Sequence, residues 1–407
     1  MDVGKLKILI TGQLKTSRTE ALEDYLRHKV DSLGVIGVMS PFASYNESRC
    51  TFYKKGVKKR EFNLPSYNIG KSSELKQPLI CFSFLVYIYS FFKSFKKLGQ
   101  KFDIFIGIAT FSTMLGLILR KLGKVEKVVY YCLDYYPPSK KLNFNRIINI
   151  MFKYLDKLVI KKVDVVWHIS PRIKCAREYY SGLLANSYSE VIVPLGYSKG
   201  ILYDLPLEDR ERWSLGFVGT LSQNQGLQMV IEAMPELIKE FPEIKVRIIG
   251  QGPYTNQLKE MVREKKLDDH FIFHGFVRED AEVYSILSRC IVGLATWTGS
   301  EDDNSLYADP GKPKLYALLG LPIIITSAPY ISELVSDTGA GEVIEYCSND
   351  FIVAVKKMIA KEEDFQRYRE GIEKFRPFCL AENIFDKAFS ETKTLWESQK
   401  RENNNDI

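Results

Sequence analysis

The chain has 407 residues, of which 45% are hydrophobic and 26% charged, and its formal net charge is +7 at pH 7. This is the composition of a globular protein with sizeable cores, and the length predicts two domains or one large one. No apolar run reaches the roughly 18 residues that a membrane-spanning helix needs, so none is predicted.

The N-terminal stretch MDVGKLKILITG is not typical of a secretory signal, because its apolar core is short and no small-residue cleavage site follows. The seven cysteines are scattered and never form a C-x-x-C pair, which is typical of free thiols in a reducing compartment. The four histidines show no metal-ligand spacing. We therefore expect a cytoplasmic protein without a metal or another cofactor.

The charge is distributed unevenly along the chain. Residues 1–200 carry 33 Lys and Arg against 15 Asp and Glu, a balance of +18, whereas the remainder carries 24 against 35, a balance of −11. Such a division indicates two functional surfaces. The basic half could face anionic lipid, a phosphate-bearing acceptor or nucleic acid.

The first half alternates between strand-like and helix-like patterns. Strands are predicted at 6–10, 35–39, 104–108, 128–133, 164–169 and 190–193, and helices at 18–33, 79–98, 111–122 and 145–161. This alternation predicts a parallel sheet with helices on both faces. The polar, lysine-rich segment 41–78 is expected to be a loop.

The pattern breaks at 194–214, where prolines, glycines and a charged run indicate an interdomain connection. A second series follows, with strands predicted at 215–219, 244–249, 271–274, 290–295, 322–326 and 342–345, and helices at 226–240, 254–266, 279–288, 311–319, 330–336 and 350–360. We therefore predict a first domain at 1–198, a linker at 199–213, a second domain at 214–376, a C-terminal helix at 377–400 and a disordered tail at 401–407.

Three glycine-containing loops follow strands or precede a helix in the second half. They are Gly219-Thr220-Leu221-Ser222, Gly250-Gln251-Gly252-Pro253 and Asp309-Pro310-Gly311-Lys312. Glycine allows backbone N–H groups to approach a phosphate, and a helix N-terminus adds a favourable dipole. A single loop of this kind is more often a plain turn. Three of them at one edge of a doubly wound sheet predict a ligand site there.

The segments FVGTLSQNQGLQMVIEAM, VRIIGQGP, FHGFV and KPKLYALLGLPIIIT occur in this order. They resemble the C-terminal domain of the retaining, GT-B-fold glycosyltransferases of the group 1, or family 4, type. The resemblance covers residues 215–347 closely. It extends more loosely to the first half through YYCLDYYP and DVVWHIS.

The resemblance implies an α/β fold of two Rossmann-like, doubly wound domains that face a cleft, with a C-terminal helix that can return to the N-terminal domain. It also implies transfer of a sugar from a nucleotide-sugar donor to a glycan or lipid-linked acceptor, with retention, in the synthesis of cell-surface polysaccharide or glycan. The first domain would bind the acceptor, and the second would bind the donor.

Specific donor-binding residues follow from the resemblance. Gly219 and Thr220 would lie near the donor diphosphate, with Gly250 and Gly252 in the neighbouring loop. The backbone of Phe276 and Val277 would meet the base. In the first half, the Gly12-Gln13 loop would contact donor phosphate or acceptor, although a plain turn there is an open alternative.

The chain also departs from the family pattern. Thr220 and Gln225 stand where an arginine and a lysine are common, and Leu315 stands where the second of two glutamates is common. Lys312 and Lys314, beside Gly311, are the residues that could supply the missing positive charge, unless they only form an exposed helix start. Asp309 and the acidic cluster at Glu301 could contact sugar hydroxyls, unless the cluster is a solvated loop.

Asp134 and Lys312 are the residues to which we assign catalytic roles. Asp134 follows a predicted strand and could orient an acceptor hydroxyl or bond to the transferred sugar, although an Asp at this place could merely start a turn. The retaining chemistry needs no strong nucleophile, because the leaving diphosphate can take the acceptor proton while the enzyme stabilises charge. His168, on an apolar strand, is interpreted as a core histidine.

The run from Leu79 to Phe92 is apolar, rich in aromatic residues and flanked by lysines. It is either a buried core helix or a helix that docks on an anionic membrane. In the second case the protein would be peripheral on the inner face of the cell membrane.

Two other functions compete with the transferase. A non-catalytic GT-B protein could bind a nucleotide sugar or scaffold a partner enzyme, which would explain the missing basic residues and glutamate. A nucleic-acid binder is suggested only by the basic half, and no recognisable nucleic-acid module accompanies that charge. We therefore predict no nucleic-acid partner.

Overall fold

The computed structural model describes residues 3–12, 17–38, 48–65, 79–135, 144–299 and 306–405. The chain divides into two compact units: the first unit is Met1–Pro194 with Ile384–Ile407, and the second unit is Leu195–Asn383. Each unit holds its own sheet with flanking helices. The predicted α/β architecture with two Rossmann-like sheets is therefore confirmed.

The first unit has an eight-stranded sheet within the described ranges. Its strands are β1 (Lys7–Gly12), β2 (Ser32–Gly37), β3 (Arg49–Lys54), β4 (Val57–Asn63), β5 (Phe102–Ile108), β6 (Val125–Cys132), β7 (Val165–His168) and β8 (Glu190–Ile192), in the order β4-β3-β2-β1-β5-β6-β7-β8. The strands β1, β2 and β5 to β8 run parallel. They are apolar along most of their length because helices can cover both faces of such a sheet.

The hairpin of β3 and β4 corrects the interpretation of residues 41–78 as a loop. Strand β3 pairs antiparallel with β2, and β4 pairs antiparallel with β3 at the edge of the sheet. Every residue of β4 except Phe62 is exposed, and its charged side chains are Lys58, Lys59, Arg60 and Glu61. Charged residues on an open edge strand discourage pairing with other chains. Residues 39–47 and 66–78 lie outside the described part of the chain.

The helices of the first unit occupy most of the predicted positions. They are α1 (Ser17–Lys29), α2 (Leu79–Leu98), α3 (Thr110–Lys121), α4 (Phe144–Ile160) and α5 (Arg172–Ser181). Helix α1 was expected to continue to residue 33, but the chain turns after it, and Ser32 already begins β2. In the portions of the chain that the structure describes, no helix is both long and apolar enough for a bilayer crossing.

The second unit has a six-stranded parallel sheet. Its strands are β9 (Ser214–Val218), β10 (Lys245–Ile249), β11 (Phe271–Gly275), β12 (Val292–Ala295), β13 (Ile323–Thr326) and β14 (Gly341–Ile344), in the order β11-β10-β9-β12-β13-β14. From β9 the chain first builds towards β11, and it then returns to the other side of β9 to build β12 to β14. The switch point between β9 and β12 is where doubly wound sheets bind ligands.

The helices of the second unit are α6 (Leu227–Glu240), α7 (Thr255–Glu264), α8 (Asp280–Ser288), α9 (Gly311–Leu318), α10 (Ile331–Thr338), α11 (Ser348–Ile359) and α12 (Glu362–Phe375). Helix α12 is absent from the sequence interpretation. It is mostly polar, but one side buries Phe365, Tyr368, Ile372 and Phe375 against the unit. Such amphipathic spacing stabilises a helix through packing of one face.

The C-terminal helix α13 (Ala381–Asn405) packs on the first unit. The indole nitrogen of Trp167 donates a hydrogen bond to Thr392 Oγ1 over 2.9 Å, and the Trp167 and Phe389 rings lie 5.1 Å apart. The predicted return of this helix to the N-terminal domain is therefore confirmed. The expectation of disorder is wrong for residues 401–405, which continue the helix, and residues 406 and 407 lie outside the described part.

Candidate functional site

The candidate site lies at the carboxyl ends of β9 and β12, on either side of the switch point in the second unit. Two of the predicted glycine loops follow β9 and β10, and the third runs into helix α9. The unit therefore brings to one edge of its sheet the loops that the sequence singled out.

The glycines of the first two loops serve contact between the loops themselves. The N–H of Gly219 donates to the Ile249 carbonyl over 3.0 Å, and the N–H of Gly250 donates to the Gly275 carbonyl over 2.7 Å. The N–H of Gly252 donates to Thr255 Oγ1 over 2.9 Å. These three N–H groups already have partners within the protein. They bond to the ends of β10 and β11 and to the start of α7, so these N–H groups are not the phosphate donors that we expected, and contact of the three residues with the donor stays a prediction.

The close approach of the two loops requires glycine at position 250. A Cβ atom there would lie 2.0 Å from the Gly219 carbonyl oxygen, and the residue has a φ of +130°. A side chain at Gly252 would meet the Leu221 carbonyl oxygen at 2.3 Å. Exposed Thr220 lies between Gly219 and Leu221, at the surface of the joined loops.

The turn that follows the first loop is fastened to the segment after β12. The Thr296 hydroxyl donates to the Gln225 carbonyl over 3.0 Å, and the Thr298 N–H donates to the Asn224 carbonyl over 3.0 Å. A Cβ on Gly226 would lie 1.6 Å from the Thr296 carbonyl oxygen, and its φ is +76°. Glycine at this position therefore lets the turn lie directly against the neighbouring segment.

Helix α9 is fixed against both strands by Tyr316. Its hydroxyl donates to the Leu294 carbonyl over 2.9 Å and accepts from the Val218 N–H over 3.3 Å. Gly293 leaves the space for the ring, because a Cβ there would lie 2.4 Å from it. Lys312 precedes Tyr316 by four residues and so shares its face of the helix. The sequence thereby directs Lys312 towards the strand ends.

The ammonium of Lys312 lies among aromatic rings and an amide. It is 4.2 Å from the centre of the Phe217 ring and 4.4 Å from the centre of the Trp297 ring. It also donates a hydrogen bond to Gln225 Oε1. A Cβ on Gly219 would lie 3.6 Å from the Lys312 Nζ. Ring faces attract a cation, so these groups hold the ammonium beside the first loop.

The N-terminus of α9 adds to the positive character of this place. Pro310 precedes the helix in an extended conformation, and its own side chain makes no capping hydrogen bond. The first N–H groups of a helix and its dipole both favour an anion. With the Lys312 ammonium beside them, they form a site suited to a phosphate group.

Asp309 and Lys314 pair with each other in the interior. They are 6% and 1% exposed, and the Lys314 ammonium bonds to both Asp309 Oδ2 and the Leu195 carbonyl. The exposed helix start considered for Lys314 is therefore wrong. Both residues were predicted to contact the donor. The structure does not support these contacts, because the Asp309 carboxylate and the Lys314 ammonium are buried and bond to each other. Their role changes to holding the loop before α9 against the segment at Leu195.

The remaining donor-site predictions differ in how far the structure describes them. Phe276 follows β11 with an exposed side chain, and Val277 is partly buried against the core. Their contact with a nucleotide base stays a prediction. Glu301 and Gln13 lie outside the described residues.

The predicted residues of the first unit lie at the carboxyl edge of its sheet. Gly12 ends β1, and a Cβ there would lie 2.6 Å from the Ile108 Cβ, so packing against β5 is sufficient reason for this glycine. Asp134 is exposed two residues after β6. Its catalytic role and that of Lys312 stay predictions. His168 is fully buried, which confirms its interpretation as a core histidine.

The sequence interpretation missed the surroundings of Lys312. Phe217 and Trp297 were not assigned to the site, and Gln225 was noted only as a departure from the family pattern. The spacing of Tyr316 from Lys312 by one helical turn was an available signal. Among the described residues, no group of three or more His, Cys, Asp and Glu could hold a metal ion. The absence of a metal and of other cofactors stays a prediction.

Comparison with known proteins identifies a family match in the second unit and relatives over part of the chain. Residues 212–361 match the family described as glycosyl transferases group 1. Alpha-monoglucosyldiacylglycerol synthase of Streptococcus pneumoniae is 24% identical over 236 residues, which are 54% of this chain and 49% of that protein. A GDP-mannose-dependent alpha-(1-6)-phosphatidylinositol monomannoside mannosyltransferase of Mycolicibacterium smegmatis is 33% identical over 163 residues, which are 37% of this chain and 41% of that protein. The chain thus matches half or less of each relative's length.

Solved structures share the fold over nearly the whole chain. Sucrose-phosphate synthase from Thermosynechococcus elongatus has a TM-score of 0.71 at 12% identity, covering 97% of this chain and 100% of that one. HepE of Anabaena in complex with UDP has a TM-score of 0.64 at 14% identity, covering 96% and 100%. The chain therefore has the GT-B fold of these structures, and its residues 212–361 match the group 1 glycosyltransferase family.

Proposed function

We propose that the protein transfers a sugar, with retention, from a nucleotide-sugar donor to a glycan or lipid-linked acceptor in the synthesis of cell-surface polysaccharide or glycan. The observation that carries the proposal is the Lys312 ammonium in the first turn of α9, at the switch point of a domain that matches the group 1 family. A donor diphosphate is an anion of the size and charge that such a place attracts.

The diphosphate becomes the leaving group of the reaction and gains negative charge as the sugar departs. A fixed ammonium and a helix N-terminus stabilise that charge without reorganising during the reaction. In this proposal, Lys312 and α9 carry the charge, and no metal or other cofactor takes part. Asp134 orients the acceptor hydroxyl or bonds to the transferred sugar.

Retention and a nucleotide donor are supported by the relatives. Both curated relatives are named for alpha-linked products, and one is named for GDP-mannose. Retention from an alpha-linked nucleotide sugar gives an alpha-linked product. The solved structure of HepE holds UDP. We extend donor use of this kind to the present chain.

A lipid-linked acceptor is supported by the same relatives and by a surface of the first unit. The two relatives are named for a diacylglycerol and for a phosphatidylinositol mannoside. Adjacent helices α2 and α4 expose large apolar side chains, here called the apolar face: Leu85, Tyr89, Ile150, Met151 and Tyr154. The Phe84 ring of α2 and the Phe152 ring of α4 lie 6.2 Å apart.

Helix α2, which contains the run from Leu79 to Phe92, has one buried side and one exposed side. Ser90 and Phe91 are buried, and the Tyr87 hydroxyl bonds to Thr11 Oγ1 over 3.1 Å and to Ser112 Oγ over 2.8 Å. The opposite side exposes Leu85 and Tyr89. We propose that this side and the lysines after it rest on an anionic membrane from the cytoplasmic face.

The proposed transfer is tested with a panel of UDP-, GDP- and dTDP-sugars, measured as donor hydrolysis and as transfer to glycan and lipid acceptors. We expect one donor class to support turnover and Lys312→Ala to lower kcat at least about 100-fold, because it removes a charge that acts on the leaving group. Lys361→Ala, which removes a lysine remote from the site in sequence, is the matched control and keeps wild-type turnover.

Two results would count against the proposal. Failure to bind any donor would remove it altogether. Donor binding without turnover towards any acceptor would instead favour the non-catalytic GT-B protein that the departures at Thr220, Gln225 and Leu315 suggest.

A further inference from the structure

We infer that Arg177 is a positioning residue that holds the loop after β6 on both sides of Asp134, and that it thereby sets the position of Asp134 for the transfer. The inference rests on the proposed function and on the role proposed there for Asp134. It assigns a function to a buried arginine of the first unit, which lies outside the residues matched by the family.

The guanidinium of Arg177 is buried between the sheet of the first unit and two of its helices. Arg177 lies on α5 and is 1% exposed, and it pairs with Asp156 of α4. Its Nε is 2.8 Å from Asp156 Oδ2, and its Nη2 is 3.0 Å from Oδ1. Two bonds of this kind fix the plane of a guanidinium. The other N–H groups of Arg177 therefore have defined directions.

These other N–H groups reach the ends of two neighbouring strands. Nη1 lies 3.0 Å from His168 Nδ1 at the end of β7, and Nη2 donates to Cys132 Sγ at the end of β6 over 3.1 Å. Cys132 and His168 are partners in the register of the two parallel strands. Their side chains therefore lie on the same face of the sheet, where one guanidinium contacts both.

The same guanidinium contacts the loop after β6 both before and after Asp134. Cys132 precedes Asp134 by two residues, and its thiol donates to the Asp134 carbonyl over 3.5 Å. Tyr135 follows Asp134, and the centre of its ring lies 5.7 Å from the guanidinium carbon of Arg177. The Tyr135 hydroxyl also donates to the Ala176 carbonyl of α5 over 3.4 Å. The backbone of exposed Asp134 is thus held from both sides.

The Cys132 thiol connects Arg177 to the loop because it keeps its proton. Burial raises the pKa of this thiol, and the nearby charge of Arg177 opposes that effect only in part. A protonated thiol donates through S–H and accepts at sulfur. Since each bond to sulfur is weak, the position of the loop depends on the contacts of Arg177 with Cys132 and Tyr135 together.

This arrangement requires arginine because one side chain supplies several donors in a fixed plane. A lysine at position 177 would keep a positive charge opposite Asp156, but a single ammonium on a flexible stem makes no bidentate pair. It would therefore not hold Cys132 and Tyr135 in one orientation. Misplacement of a reacting group by about 1 Å can cost on the order of 100-fold in rate. Loss of the orientation should therefore appear in kcat.

The test compares Arg177→Lys in the wild type and in Asp134→Ala, with transfer measured from radiolabelled donor. We expect Arg177→Lys to lower kcat about 10-fold or more and to leave the donor KM within about twofold, because the proposed diphosphate site lies in the second unit. In Asp134→Ala the same change should lower kcat no further, because the residue that it positions is gone. Arg120→Lys is the matched control: Arg120 pairs with Asp164, just before β7, and this variant should keep the wild-type kcat.

Cys132→Ala is a milder variant, because it removes one contact of Arg177 without leaving a buried charge unpaired. It decides the question if Arg177→Lys does not fold. It should lower kcat about 3-fold or more in the wild type and not in Asp134→Ala. Cys50→Ala, which removes a buried thiol from β3 of the same unit, is its control and should keep the wild-type kcat.

Three results would overturn the inference, and all of them require an active wild type. The first is an equal fractional loss of kcat in the wild type and in Asp134→Ala, because a purely structural role predicts it. The second is wild-type kcat in a folded Arg177→Lys protein, and the third is wild-type kcat in Asp134→Ala. A wild type that transfers no sugar from any donor would overturn the proposed function first, so the two failures are distinguished.

Discussion

His168 lies at the end of β7, where its imidazole is enclosed by polar side chains. Arg177 Nη1 is 3.0 Å from the His168 Nδ1, the Tyr188 hydroxyl is 3.3 Å from Nε2, and Glu190 Oε2 is 3.6 Å from Nε2. Arg177 itself pairs with Asp156 over 2.8 Å. Burial first, and then the charges of Arg177 and Lys174, hold the pKa of His168 well below its usual value of 6.5. The folded protein therefore keeps this imidazole neutral.

A neutral buried histidine has a defined effect on stability against pH. Below about pH 6.5 the unfolded chain binds a proton that the folded chain does not, so unfolding becomes easier as the pH falls, by up to about 1.4 kcal/mol per pH unit. We expect His168→Gln to lose part of this dependence. Urea unfolding at pH 7 and pH 5 measures it, with exposed His28→Gln as the control. If the free energy of unfolding falls equally in His168→Gln and the wild type between pH 7 and pH 5, the prediction is wrong.

The glycine loops show what residue type alone can predict about a site. Glycine at 219, 250 and 252 correctly marked the edge of the sheet where loops approach closely. It could not show that the N–H groups of Gly219 and Gly250 bond to the ends of neighbouring strands, because that depends on the register of β10 against β9 and β11. The positive charge at Lys312 was predictable, whereas its aromatic and amide surroundings come from segments far apart in sequence.

At the scale of elements, α9 is held by Tyr316 and by the pair of Asp309 and Lys314. Tyr316 fastens one side to the strands, and the Asp309–Lys314 pair fastens the preceding loop to Leu195, whose N–H donates to Asp309 Oδ2 over 2.5 Å. A buried pair of this kind costs desolvation, but removal of one partner leaves an uncompensated charge in the interior. The pair thus specifies where the helix begins.

The two charges of this pair should show strong coupling. We expect Asp309→Asn or Lys314→Met alone to lower the free energy of unfolding by about 3–5 kcal/mol, and the double variant to recover a substantial part of that loss. Chemical unfolding of the wild type, both single variants and the double variant measures the coupling. The exposed pair Lys239–Glu236 is the control, and its removal should leave the free energy of unfolding near the wild-type value. Additive losses at Asp309 and Lys314 would refute the coupling.

The edge hairpin marks a limit of periodicity as a guide to elements. Strand β4 exposes nearly all its side chains, so its sequence carries no alternation between apolar and polar residues. Its pairing with β3 follows from the two-residue turn Lys55-Gly56, in which both φ values are positive, and not from alternation of side chains. The central strands were predictable because burial on both faces makes them continuously apolar.

At the scale of the whole molecule, the positively charged half of the sequence is also the half that forms the apolar face. Residues 1–200, with their balance of +18, supply the eight-stranded sheet and the apolar face, whereas the remainder carries −11. Exposed lysines follow the apolar face at the end of α2, namely Lys93, Lys96 and Lys97. An apolar surface beside basic residues is the combination that binds anionic bilayers, through burial and electrostatic attraction together.

Membrane binding should therefore depend separately on the lysine charge and on the apolar area. We expect co-sedimentation with vesicles that contain anionic lipid, and a decrease of binding at high salt, because screening weakens the lysine contribution. Replacement of Leu85 and Met151 by serine should weaken binding about 10-fold, because it removes apolar area that would enter the bilayer surface. Val353→Ser is the control, since this valine is 64% exposed on α11 of the acidic half. Equal binding of the wild type to neutral and anionic vesicles would exclude the electrostatic contribution. Wild-type vesicle binding by the variant with serine at Leu85 and Met151 would exclude the apolar face as the docking surface.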